Sequence, residues 1–323
     1  MRHAMFTALT LIHRPARLQP ASVRAMRRVI ACLLALILPL PVAPVAANPI
    51  EETVRMGSYS GARREWSRAE VHSTFDLWAQ ELASRFQIPV SIAHYDDPQD
   101  IRRDFLAGKI NSVNTDAITF VRLFKPEELA DGYATIMKGG WDLMLFAGRD
   151  VPAQSLADLA GKRIVLLEEN TAGDLYLETL CLRHHQRACR DVFAEIQRVN
   201  TSNQALMRVF FGKSDLALVY GYGHALAVEM NPQLGRHLRK LAEYPLRSLF
   251  FAFYNTKVDK ALRQRTVRIT PTLHTYPRGR QLLDIFKIDH LEIATPADLQ
   301  PVIDLEKDYQ SLRAQVERKE RRK

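Results

Sequence analysis

The chain has 323 residues, 45 Lys plus Arg against 36 Asp plus Glu, and a formal net charge of +9. That length suits about two domains. An apolar fraction of 47% with 25% charged residues excludes a disordered, collagenous or multi-span membrane chain. Three cysteines are too few for a disulfide scaffold.

The charge is unevenly spread. Residues 1–47 hold six basic groups and no acid, and residues 317–323 hold five basic and two acidic groups. The stretch between, 48–316, carries 34 of each sign. A neutral body offers no polyanion surface, so no nucleic-acid partner is expected.

Arg24, Arg27 and Arg28 precede an apolar run of 12 residues, 29–40, and then the small-residue stretch Ala43-Pro44-Val45-Ala46-Ala47. This reads as a cleaved signal peptide over 1–47, with Val45 and Ala47 at −3 and −1. A membrane anchor needs about 20 apolar residues. Met26 or an upstream Met is the candidate start. Val29-Ile30-Ala31-Cys32 matches a lipobox by letters, but Cys32 sits at the beginning of the apolar run, so the match is read as chance. The mature chain is expected to be periplasmic.

Cys181 and Cys189 then remain, and an oxidising compartment lets them pair. Eight residues of unbroken helix would hold them about 12 Å apart, too far for a disulfide. Pairing therefore requires the helix to end near His184, and both outcomes stay open.

In chain order, 53–57 reads as a strand. A helix follows with Phe75, Trp78, Leu82 and Phe86 on one stripe. Residues 89–94 read as a strand, 100–107 as a helix closed by Gly108, 110–113 as a strand and 116–124 as a helix. Strands at 133–137 and 142–147 flank Gly139-Gly140. Ser155 and Asp158 suit a capping box. Strands at 163–167, 195–199 and 216–220 alternate with helices at 171–182, 202–211 and 223–229. The alternation predicts an α/β chain with parallel sheet. A Phe-rich strand, 248–254, comes next, and the rest reads as helical. Thr295-Pro296 starts the last helix. There Val302, Leu305, Tyr309, Leu312 and Val316 form a stripe too short for a coiled coil, expected to pack along the body.

Most chemical motifs fail on inspection. Gly212-Lys213-Ser214 lacks the upstream Gly of a phosphate loop, with Met207 in its place. Gly221-Tyr222-Gly223 lacks the third Gly of a dinucleotide fingerprint and reads as a tight turn. His184 and His185 face about 100° apart on a helix and cannot share a metal. Asp96-Asp97 reads as a helix cap. No catalytic constellation, metal site or cofactor is expected. What remains are loops after strands that open helices: Ser58-Tyr59-Ser60, Asn114-Thr115, Asn170-Thr171-Ala172-Gly173 and Tyr220-Gly221. Each singly suits an N-cap. Four together behind a signal peptide favour a ligand cleft at helix N-termini.

The order of segments resembles the periplasmic phosphate/phosphonate-binding proteins of ABC transporters. The resemblance covers about 53–290 and is carried by several stretches. These are Ser155-Leu-Ala-Asp-Leu-Ala-Gly-Lys-Arg-Ile-Val165, Asn170-Thr-Ala-Gly173, Phe105-Leu-Ala-Gly-Lys-Ile-Asn111, Val209-Phe-Phe-Gly-Lys-Ser-Asp-Leu-Ala217 and Lys240-Leu-Ala-Glu243. Asn114-Thr115-Asp116 departs from the family's usual Gly-Pro turn, and Ala172 stands where its anion loop has a Ser. Tyr220-Gly221-Tyr222 replaces residues that are often acidic or small there; the acidic ones would hold a ligand amine, which argues against an aminophosphonate.

The resemblance implies a two-lobed type 2 periplasmic-binding-protein fold with two crossings, near 137–141 and 245–248. Residues 48–138 plus 249–323 would form lobe 1 and 139–248 lobe 2. It implies a monomeric, non-enzymatic solute-binding protein that captures a small anionic ligand for an ABC permease. Asn170, Thr171, Ala172 and Gly173 would hold the anion, opposed by Asn114 and Thr115. Tyr59, Trp141 and Tyr220 would wall the cleft, and Arg247 would add positive charge. A sensory protein signalling to a membrane partner is the alternative. An exported enzyme on the same fold is a third, to be tested by turnover in Tyr59→Phe and Asp116→Asn.

Overall fold

Two sheets organise the chain. The computed structural model describes residues 53–59 and 68–322. The signal-peptide segment, Cys32 and Ser60 lie outside the described residues. In chain order the strands are β1 (Val54–Tyr59), β2 (Val90–Tyr95), β3 (Ser112–Asp116), β4 (Leu129–Met137), β5 (Leu143–Gly148), β6 (Arg163–Leu167), β7 (Glu195–Val199), β8 (Leu216–Tyr220), β9 (Leu238–Tyr244), β10 (Phe250–Asn255) and β11 (Ile288–Ala294). A six-stranded sheet runs β11-β4-β10-β3-β1-β2, and a five-stranded sheet runs β7-β6-β8-β5-β9. The first sheet takes strands from both ends of the chain and the second from its middle. The chain passes between them through 138–142 and 245–249, which is the two-lobed arrangement with two crossings.

The helices are α1 (Arg68–Phe86), α2 (Pro98–Leu106), α3 (Ala117–Leu123), α4 (Thr171–His185), α5 (Cys189–Val192), α6 (Ser202–Phe210), α7 (Gly221–Met230), α8 (Leu234–His237), α9 (Lys260–Ile269), α10 (Pro277–Ile285) and α11 (Gln300–Glu320). Local chemistry fixes their starts. Asp97 caps α2 by accepting from Gln99 N, with Pro98 in the first turn. Ser155-Asp158 and Thr295-Asp298 form capping boxes, but for the 3-10 turns Leu156–Leu159 and Pro296–Leu299, so Thr295-Pro296 opens the turn that leads into α11 rather than α11 itself. Phe75 and Trp78 of α1 are buried in the main core, Phe86 packs partly exposed against it, and Leu82 is buried on the same stripe.

Two expectations are corrected. Only β2-β1-β3 and β7-β6-β8 are parallel. β10 and β5 join each set antiparallel, because each follows a crossing and enters its sheet from the opposite end. The region after 254 is also not all helical. In β11 the register shifts between Ile288 and His290, so the buried residues are Ile288, Leu291 and Ala294. A bulged strand thus shows a spacing of three that imitates a helix.

Cys181 and Cys189 are bonded, with Cα atoms 5.4 Å apart. The helix ends at His185, and Gln186 turns the chain at φ 52°. The stripe of α11 packs along the body as expected, with Val302 and Leu305 buried. It lies against both α4 and α3. Glu306 pairs with Arg122 of α3 at 3.1 Å and Asp308 with Arg183 of α4 at 2.7 Å. The last helix therefore grips an element beside each sheet.

Candidate functional site

The β6–α4 loop builds the most distinctive polar site. Glu169 takes a left-handed backbone, φ 48°, which turns the chain off β6. Asn170 then caps α4. Its Oδ1 accepts Gly173 N–H at 2.9 Å, and its carbonyl accepts Asp174 N–H at 2.8 Å. A Cβ at residue 173 would lie 2.3 Å from Asn170 Nδ2, so glycine is what lets the carboxamide fold over the helix end. The Tyr220 hydroxyl, from the end of β8, also donates to Asn170 Oδ1. Asn170 is 5% exposed, and its Nδ2 is buried without a hydrogen-bond partner. Thr171 is exposed beside it, while Ala172 and Gly173 are buried. Asp174 is held by Arg198 at 2.7 Å.

The first sheet contributes a row at the carboxyl ends of its parallel strands. His94, Ser58 and Asn114 are register partners across β2, β1 and β3, so their side chains share a face. Ser58 is buried and its Oγ has no partner. Asn114 Nδ2 donates to Phe251 O at 3.3 Å. Thr115 is fully buried and its hydroxyl donates to Asp116 Oδ2 at 3.4 Å. Asp116 caps α3, accepting Thr119 N–H at 2.9 Å and Thr119 Oγ1–H at 2.7 Å. Tyr59 ends β1, half-buried. His94 stacks on His72 of α1, centroids 3.7 Å apart. Burial, and then the neighbouring His72, hold the His94 imidazole below its usual pKa, against the pull of Asp76.

Aromatic packing at the crossings joins the two ends. Trp141 is buried, with ring contacts to Tyr220 at 5.6 Å, Tyr222 at 5.0 Å and Phe250 at 5.5 Å. Its Nε1 donates to Thr135 O at 2.8 Å. Phe250 is the register partner of Asp116. Tyr220, Trp141, Phe250 and Asp116 thus link the β8 end to the β3 end. The first crossing is also held to α7 by Gly221 N–H to Asp142 O and Tyr222 N–H to Gly140 O, at 2.8 and 2.7 Å. Asp142 Oδ1 accepts Leu246 N–H of the second crossing at 2.9 Å.

Of the residues named from sequence, Asn170, Thr171, Ala172, Gly173 and Tyr220 come together, and Trp141 abuts Tyr220. Asn114 and Thr115 stand on the other sheet. Arg247 lies elsewhere on the second crossing, paired with Glu292 at 2.8 Å and with Asp298, so two carboxylates meet its charge. Ser58 carries a sequence signal only as part of the Ser58-Tyr59-Ser60 loop and His94 carries none; strand register alone aligns them. Gly223 faces Ser202, where a Cβ would lie 2.1 Å from its Oγ. Gly221-Tyr222-Gly223 is thus not a separate tight turn but the closely packed first turn of α7. Among the described residues no cluster of His, Cys, Asp and Glu could hold a metal, and no helix is long and apolar enough to cross a membrane.

Residues 66–299 match the family described as ABC transporter, phosphonate, periplasmic substrate-binding protein. A Pseudomonas aeruginosa binding-protein component of an ABC phosphonate transporter is similar in structure, with TM-score 0.56, 12% identity and coverage of 82% of this chain and 88% of that one. A Prochlorococcus marinus protein, PhnD1, in complex with methylphosphonate gives TM-score 0.55, 13% identity and coverage of 80% and 98%. A Xanthomonas citri protein bound to chloride ion gives TM-score 0.54, 16% identity and coverage of 82% and 99%. At these identities the likeness is one of fold. No curated protein matches the sequence.

Proposed function

Because the chain belongs to the family of periplasmic phosphonate substrate-binding proteins of ABC transporters, we propose that it captures a small phosphonate or phosphate between its lobes and passes it to a permease. The family is one of binding proteins rather than enzymes. The observation that carries the ligand class is the α4 N-terminus, where Asn170 Nδ2 is buried and unpaired. A helix N-terminus offers N–H groups and partial positive charge to an anion. Ligands of open α/β sheets sit beyond the carboxyl ends of the strands, and Asn170 to Gly173 satisfy both conditions.

In this reading Thr171, Ala172 and Gly173 cradle the anion with Asn170. Tyr59, Asn114 and Thr115 approach from the other lobe, and Tyr220 and Trp141 back the cleft. The relative solved with methylphosphonate supports the same class here. A ligand touching both lobes binds the closed form better than the open one, so binding favours closure. Removal of residues 1–47 on export and a monomeric mature protein belong to the same proposal.

Calorimetry of residues 48–323 tests it, with methylphosphonate, inorganic phosphate, methanesulfonate and acetate. The expected result is a Kd of about 1 μM or below for methylphosphonate or phosphate. Binding to neither would overturn the reading.

A further inference from the structure

We propose that the pole of the molecule where α4 and α11 end is a docking surface for an anionic lipid bilayer. The surface lies apart from the ligand loop, and it does not rest on the function proposed above.

Two segments far apart in sequence meet at this pole. α4 ends at His185, the chain turns at Gln186, and the disulfide to Cys189 pins the corner that follows. α11 reaches the same corner, where Lys319 Nζ donates to Gln186 Oε1 at 2.7 Å. The corner carries Arg183, Arg187 and Arg190, and the end of α11 carries Arg313, Arg318, Lys319, Arg321 and Arg322. Carboxylates meet three of these charges: Asp308 meets Arg183, Asp191 meets Arg190 and Glu317 meets Arg313, at 2.7, 3.8 and 2.9 Å. Arg187 donates to the Asp191 carbonyl. Arg187, Arg318, Lys319, Arg321 and Arg322 are exposed, and none has an ion-pair partner among the described residues. Glu320 is the acid left among them. The turn beside His185 adds Asp158 and Lys162, one of each sign. The even charge of the body therefore conceals a positive pole that only the folded chain assembles.

Helix ends favour cations, but that effect fades beyond the last turn. Arg187, Arg190, Arg321 and Arg322 lie past His185 and Glu320, the last residues of α4 and α11, so the dipoles do not account for them. Nor is the pole built like a protein interface, whose centre is apolar or aromatic. No large apolar side chain is exposed within 183–191 or 306–322. Exposed cations without an apolar centre suit the diffuse field of a headgroup layer, where each Lys or Arg adds about fivefold to binding. The 15 residues of α4 set this pole about 22 Å from Asn170. A molecule lying on lipid through the pole keeps its ligand loop clear of the headgroups.

Co-sedimentation of residues 48–323, which contain the whole described fold, with lipid vesicles tests this. Phosphatidylcholine vesicles with about 30% phosphatidylglycerol should bind the protein, and pure phosphatidylcholine vesicles should not. Raising salt from about 0.05 to about 0.5 M should release it. Lys319→Gln/Arg321→Gln/Arg322→Gln and Arg187→Gln/Arg190→Gln should each weaken binding at least tenfold, with thermal melting unchanged. Wild-type protein that ignores the anionic vesicles, binds both kinds equally or holds on at high salt overturns the proposal, whatever the variants do. Weakening by one set alone also overturns it, because the affinity would then belong to a single basic segment and not to the assembled pole. No phosphonate enters the assay, so these outcomes leave the function proposed above untouched.

Discussion

Cys181 and Cys189 are covalently joined across the end of α4, and the residue that makes this possible is Gln186, in the left-handed conformation between them. The bond closes a short loop of sequence separation 8. Loop-closure entropy for such a length is about 2.5 kcal/mol. Cys181→Ser/Cys189→Ser should therefore lower the melting temperature by roughly 5–10 °C. Methylphosphonate affinity should stay within about twofold, since ten helical residues, about 15 Å, separate Cys181 from the α4 N-terminus. Thermal scans and calorimetry check both; a free-thiol titration of native protein should read none at these two positions.

The crossing is packed on glycine. A Cβ at 221 would lie 2.4 Å from the Gly139 carbonyl oxygen, which is backbone and cannot step aside cheaply. Gly221→Ala should cost about 1–3 kcal/mol. Gly235→Ala is the control: its Cβ would meet Val228 at 3.5 Å, an ordinary contact. It should be neutral or stabilising by up to about 1 kcal/mol in its helix. Equal effects in urea melts would contradict the close approach.

Arg247 has its charge met by Glu292 and Asp298, all partly exposed. Arg247→Met should cost about 1 kcal/mol or less after solvent screening and leave methylphosphonate affinity within about threefold. A tenfold loss of affinity would show instead that the guanidinium reaches the ligand.

Stability should fall as pH drops from neutral. Burial foremost holds His94, His184 and His224 below the usual value of 6.5. Below 6.5 the unfolded chain binds protons that these folded histidines refuse, so stability present above 6.5 is lost as pH falls through the lowered values. His290 opposes the trend. Burial would lower it, but Asp289 and Glu292 outweigh burial and raise it. Its contribution is full below 6.5 and is lost as pH rises through the raised value. Below 6.5 the His290 contribution is already full, so among these four groups only the three lowered histidines still change, and acidification brings a net loss. His94→Phe keeps a ring against His72 and should flatten the urea-derived stability slope between pH 7 and 5 by up to one proton. An unchanged slope would remove His94 from this account.

The legible part of the fold is the part made by neighbours in sequence. The caps at Asp97, Ser155 and Thr295 and the α1 stripe depend on residues three or four apart, so the chain order alone reveals them. The strands β6, β7 and β8 stand at their expected residues. β11 was hidden because its bulge spaces the buried residues by three. Among site residues, the Asn170–Gly173 loop was legible as a strand end running into a helix start. The placement of Ser58 was not, although it lies in a loop the sequence marks out, because register alone sets it beside His94 and Asn114.

By itself, then, the sequence determined the alternation of strands and helices, the neutral charge of the body and the helix start that bears Asn170. Each follows from composition or from contacts within one turn. Only the tertiary structure decided that β10 enters antiparallel between β3 and β4. It alone set Arg247 against two carboxylates, and it brought the Tyr220 hydroxyl to an amide 50 residues away. Such pairings depend on strand order and register, and a shift of one residue would send each strand side chain to the opposite face. No local pattern encodes that choice. Burial of the shared core makes it, and the meeting of Tyr220 with Asn170 follows from it.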